Sequence, residues 1–84
     1  MENKGIDFPQ YRKLSNNKVF YCIKNDREFE EIQIIGQSAQ LHRIVAKQYP
    51  EMLRIQDLLN LSMEGYLTST RDEYEQLLKH YALS

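Results

Sequence analysis

Residues 11–24 read YRKLSNNKVFYCIK, and the order of apolar and polar positions in this stretch fixes how the rest of the chain is read. Asparagine tolerates positive φ and can bond its own backbone, so the pair at 16 and 17 predicts a tight turn joining strands at 11–15 and 19–24. Successive strand residues point to opposite sides. Val19, Tyr21 and Ile23 therefore share one face of the second strand, and Phe20, Cys22 and Lys24 share the other. Apolar groups stand on both.

Outward from this hairpin the turn signals recur. NDR at 25–27 closes the second strand, FEEIQII at 29–35 supplies a third, and GQS at 36–38 leads to AQLHRIVAK at 39–47. In the third strand Ile32 and Ile34 share one face, while Phe29 and Ile35 share a partly covered face with Glu31 and Gln33. The last stretch has helix-favouring composition. The even spacing of turns nevertheless predicts a fourth strand, with Leu41 and Val45 opposite His42, Ile44 and Ala46.

The pattern changes at YPEMLRIQDLLNLS. Pro50 suits a first helical turn, Glu51 lies near the positive end of the dipole, and Met52, Ile55, Leu58 and Leu59 form an apolar stripe that Leu61 widens. Gly65 breaks the run and leaves 66–68 as a candidate short edge strand. Thr70 with Glu73, or Ser69 with Asp72, offers a capping box ahead of Tyr74, Leu77, Leu78 and Tyr81, which predicts a helix over 71–82. The expected fold is α+β. It consists of an antiparallel meander of about four strands followed by two amphipathic helices packed on one face. The expected core is Phe8, Leu14, Tyr21, Ile23, Ile32, Ile34, Ile44, Ala46, Met52, Ile55, Leu59, Tyr74, Leu77, Leu78 and Tyr81.

Eighty-four residues suit a single domain over 1–84, preceded by a flexible polar arm at about 1–7. A chain this short buries roughly 60% of its unfolded surface, which leaves little room for an internal catalytic cavity. Its 42% hydrophobic and 27% charged content is that of a folded domain. The formal charge of -1 gives no whole-domain attraction for a polyanion. Residues 1–49 hold eight bases and six acids, and 50–84 hold three and six, so the halves are +2 and -3. The lone Cys22 cannot form an intramolecular disulfide and reads as a buried thiol in a reducing compartment. With neither an apolar signal region nor a membrane-length run, a cytoplasmic location is expected and a membrane partner is not.

Two surfaces stand out. Tyr11, Arg12, Lys13, Lys18, Lys24 and Arg27, interleaved with Phe20 and Tyr21, have the ring-and-cation composition of a weak RNA or single-strand binder. Against this, Phe20 and Tyr21 lie on opposite faces and Glu28, Glu30 and Glu31 follow closely. Tyr49, Leu53 and Tyr66 form the second candidate, a protein interface. The chain has six tyrosines, a residue favoured at interfaces, and Leu53 falls off the helix stripe. The edge at 65–69, or the first strand, offers a further route by strand pairing.

Catalysis would recruit Cys22 with His42 and Asp57, which no local pattern places together. His42 and His80 lack diagnostic metal spacing, and neither phosphate-loop nor dinucleotide motifs occur. Glu30 with Glu31 and Glu73 with Glu75 read as solubilising charge. The sequence thus points to a non-enzymatic protein-interaction or accessory module without cofactor, binding another protein or self-associating, with nucleic-acid binding as the alternative.

Overall fold

Each predicted turn closes by the chemistry of its own residues. In the computed structural model, which describes residues 7–83, Asn16 Oδ1 accepts from the Lys18 amide at 2.9 Å and Asn17 takes φ 59°. This turn joins β1 (Gln10–Leu14) to β2 (Val19–Asn25). Asn25 Oδ1 accepts from the Arg27 amide at 2.8 Å in the next turn, which leads to β3 (Glu28–Ile35). Gly36 at φ 61° and the Ser38 hydroxyl, donating to the Ile35 carbonyl at 3.1 Å, turn the chain into β4 (Ser38–Val45). The helix-favouring composition of β4 yields to eight consecutive pairings with β3.

α1 (Tyr49–Asn60) starts where Glu51 accepts from the amides of Lys47 and Gln48 at 3.0 and 3.2 Å. It stops at Leu61, whose left-handed φ of 52° turns that side chain outward instead of widening the stripe. β5 (Tyr66–Thr68) follows Gly65, and α2 (Arg71–His80) is capped by Thr70, whose hydroxyl accepts from the Glu73 amide at 3.1 Å. Ala82 at φ 53° ends that helix sooner than the apolar spacing implies. The proposed arm at about 1–7 lies outside the described residues except for Asp7.

All strands pair antiparallel in the order β4-β3-β2-β1-β5. The α+β class and the meander are as the sequence implies, but the helices do not share a face. α1 lays Ile55, Leu58 and Leu59 against Tyr21, Ile23 and Phe29. α2 lays Tyr74, Leu77 and Leu78 against Phe20, Cys22 and Ile32. Register explains the division, because Ile23 stands opposite Phe29 and Phe20 stands opposite Ile32. A helix on one face alone would leave the second row in water. Phe20, Phe29 and Leu58 are consequently core residues beyond those read from sequence; Phe8, Leu14, Ile34, Ile44, Met52, Leu77 and Leu78 are partly buried against the two clusters, while Tyr81 joins neither and Leu83 packs on the α2 cluster instead.

One cation ties the α1 layer to the sheet. Arg12, 9% exposed, donates from Nε to the Leu58 carbonyl at 2.9 Å and from Nη2 to the Leu59 carbonyl at 3.2 Å. Its Nη1 reaches the Tyr11 carbonyl at 2.8 Å and Gln10 Oε1 at 3.2 Å. The last turn of α1 has no basic residue of its own, so β1 supplies the cation that its terminal carbonyls and dipole favour. Arg12→Ala is expected to lower stability by roughly 2–4 kcal/mol, since it strips charge-assisted bonds from buried carbonyls. Arg12→Lys should recover only part of that, because an ammonium lacks the planar fork. Urea denaturation of the two variants checks the order.

Candidate interaction surfaces

The aromatic and basic residues of the first hairpin are largely committed inside the fold. Tyr11 and Lys13 project toward α2, where Tyr11 packs on Tyr74 with ring centroids 5.6 Å apart. Lys13 pairs with Glu73 at 3.1 Å, its ammonium lying over the Phe20 ring, 5.9 Å from the centroid. Arg12 points the other way, under α1, and is buried. Lys24 pairs with Glu30 at 2.9 Å. Phe20 and Tyr21 are both core. Lys18 and Arg27 remain exposed, but they flank opposite ends of β2, roughly 20–30 Å apart at ~3.3 Å per residue. The six cations and rings named from sequence do not converge.

Of the three protein-interface candidates, two meet. Tyr49 begins α1 and is 69% exposed, and Leu53 stands one turn further along. With Met52 and Gln56 from the same helix and Asp26 and Arg27 from the β2–β3 turn, they line a depression of about 140 Å³. Leu53 was marked by falling off the apolar stripe of the helix, whereas Met52 was expected in the core and Gln56 carried no signal. The turn's share comes from tertiary packing and has no local signal. Tyr66 lies elsewhere, edge-on to Tyr21 with centroids 6.3 Å apart and packed on the α1 cluster.

Of the two anticipated routes for strand pairing, only the one at 65–69 lies on an edge of the sheet. β1 is interior, bonded to β2 on one side and β5 on the other. β5 does form one edge, but it is three residues long, whereas the opposite edge is the eight-residue β4.

Glu30 and Glu31 correct the reading of these acids as solvated. They are 8% and 5% exposed. Glu30 faces α2, accepts from the Tyr74 hydroxyl at 3.2 Å and pairs with Lys24 and, at 3.2 Å, with Arg43. Glu31 faces α1 and pairs with Arg54 at 2.7 Å. The Arg54 guanidinium also meets the Tyr21 hydroxyl at 3.3 Å and lies 5.7 Å from the centroids of the Tyr21 and Phe29 rings. Glu73 and Glu75 stay nearer to solvent, the second pairing with Arg71 at 2.8 Å.

Cys22 is a buried thiol on the α2 face, and burial, with Glu30 adding to it, raises its pKa. His42 stands opposite Glu31 on the α1 face, so the sheet separates imidazole from thiol. Among the described residues no group of three or more His, Cys, Asp or Glu is placed to hold a metal ion, and no helix is long and apolar enough to cross a membrane. Comparison of the chain with protein-family models, curated proteins and solved structures gives no match in any of the three.

Burial raises the pKa of Tyr11, Tyr21 and Tyr74; for Tyr74 the neighbouring Glu30 carboxylate adds to the effect. The folded state therefore holds these phenols neutral where the unfolded chain ionises them. The stability they contribute is fully present below pH about 10 and is lost as pH rises beyond it. Denaturation midpoints measured upward from neutral pH should fall above about pH 10, and less steeply in Tyr74→Phe.

Proposed function

We propose that this domain is a non-enzymatic protein-interaction module that docks its partner on the outer side of α1. The observation that carries the reading is the exposed Tyr49 beside the depression that Met52, Leu53 and Gln56 form with the β2–β3 turn. A cavity of about 150 Å³ accepts a benzene-sized group, so this depression fits one apolar anchor side chain of a partner. Tyr49 supplies aromatic area with a wet hydroxyl, and Asp26 and Arg27 supply a polar rim of both signs, the usual anatomy of a small interface. The buried reduced thiol of Cys22 suits a cytoplasmic setting.

Nucleic-acid binding is the lesser reading. Lys13 and Lys24 neutralise acids of the same domain and Arg12 caps a helix, so a phosphate backbone would have to compete with those partners, and the exposed Lys18 and Arg27 stand at opposite ends of β2.

A photoreactive group placed at position 49, with a matched one at Gln76 on α2, tests the docking surface in cells. The expected result is a discrete adduct from position 49 alone that disappears in Leu53→Asp, while thermal unfolding of that variant stays within about 0.5 kcal/mol of the parent because Leu53 lies outside the core. Equal labelling from both positions, or an adduct indifferent to Leu53→Asp, would overturn the proposal.

A further inference from the structure

β4 ends the sheet with a row of main-chain groups whose direction can be read from two hydrogen bonds. The Ala46 amide donates to the Arg27 carbonyl at 2.6 Å, and the Ile34 amide donates to the Lys18 carbonyl at 2.8 Å. In an antiparallel ladder the direction of these groups alternates along each strand. The first bond therefore turns Ser38, Gln40, His42 and Ile44 toward β3. The second turns Ile34 toward β2, so its partner Ala39 points away from the sheet. Both give the same answer: Ala39, Leu41, Arg43 and Val45 point their amides and carbonyls away from β3, where no strand among the described residues pairs with them.

Sheet edges are ordinarily blunted by proline, lysine, bulges or shortness. β5 is short. β4 has none of these devices: it spans eight residues in unbroken register with β3, contains no proline, lysine or acid, and its one arginine is held by Glu30 at 3.2 Å. Val45 at its end is a large exposed apolar residue, and partly buried Leu41 packs on the α2 cluster.

We propose that β4 pairs with β4 of a second copy of this chain, antiparallel about a two-fold axis through Leu41, to make one continuous ten-stranded sheet. The geometry selects this register. Outward main-chain groups belong to odd-numbered residues only, so a symmetric ladder joins odd to odd. Centred on Leu41, it sets Leu41 against Leu41 and each Ala39 against Arg43 of the second copy. Three such pairs, with two bonds each, give six main-chain hydrogen bonds. The small alanine leaves room for the arginine, and the two Arg43 side chains sit four residues apart, roughly 13 Å at ~3.3 Å per residue and beyond the screening length at physiological salt. The neighbouring register, centred on His42, would place the two arginines on a close diagonal and the two imidazoles in contact. The two leucines instead join the α2-side apolar layers of the copies across the axis. This surface is separate from the α1 depression.

Sedimentation equilibrium at about 100 μM, well above a micromolar Kd, tests it. The wild-type mass should be twice 10.1 kDa. Leu41→Lys and Leu41→Glu, each placing like charges face to face, should be monomeric, and their equimolar mixture should regain the dimer mass. Leu41→Pro should be a folded monomer, because the amide it removes points away from β3, whereas His42→Pro removes an amide bonded to β3 and should lose the native circular dichroism signal. Leu53→Asp should leave the dimer intact, which separates this result from the fate of the docking surface on α1. A monomeric wild-type chain, a dimer that survives Leu41→Lys, folded charge variants that fail to recombine, or a dimer lost in Leu53→Asp would each overturn the proposal.

Discussion

The architecture rests on the two-sided character of β2. Phe20 and Cys22 alternate with Tyr21 and Ile23, and β3 repeats the arrangement with Ile32 on one side and Phe29 on the other. A sheet whose central pair is apolar on both faces must be covered on both, at about 1.5–3 kcal/mol for each large side chain withdrawn from water. Two helices are available, and each takes one face. Neither core cluster alone is large. The domain is a thin three-layer stack in which losing either helix exposes an entire row of the strands between them.

Buried ionic groups then register each helix against the sheet. Consecutive residues of β3 send one carboxylate to each side: Glu31 meets Arg54 of α1, and Glu30 meets the Tyr74 hydroxyl of α2. Arg12 adds a third anchor, from β1 to the end of α1. Taking such groups out of water is costly, and breaking one partner of a buried pair costs more than an apolar replacement of both. Their effect here is directional. Leu58 and Ile55 could slide along an apolar surface with little penalty, but a guanidinium fork across two carbonyls holds one position.

Much of this was legible locally. Asparagine and glycine turns, the Thr70 cap and the break at Gly65 depend on interactions within a few residues, and they placed the four-stranded meander and the two helices near their observed bounds, with a candidate fifth strand after Gly65. What could not be read was decided by partners distant in sequence. The side of the sheet that each helix covers depends on cross-strand register, although apolar groups on both faces of 19–23 already implied two covers. Burial of Glu30 and Glu31 depends on Tyr74 and Arg54, 44 and 23 residues away, so their sequence neighbourhood reads as ordinary surface charge. Arg12 was misplaced for the same reason, its acceptors lying 46 and 47 residues further on. Leu53 was singled out by its position off the helix stripe and lies beside Tyr49, whereas Tyr66 lies apart from both, edge-on to the core residue Tyr21.

The position of β1 between β2 and β5 bears on the order in which the chain can fold as it is made. The hairpins from β2 to β4 contain only near neighbours and can close as soon as they emerge, at a small loop-closure cost. β1, although synthesised first, bonds on its far edge to β5, gives Arg12 to a helix end 46 residues later and pairs Lys13 with an acid 60 residues later. During synthesis from the N-terminus its outer edge stays open until nearly the whole domain has appeared. The first strand translated is thus among the last to be completed. The interval in which its outer edge stands unpaired is set by the rate of elongation and not by the intrinsic speed of strand pairing.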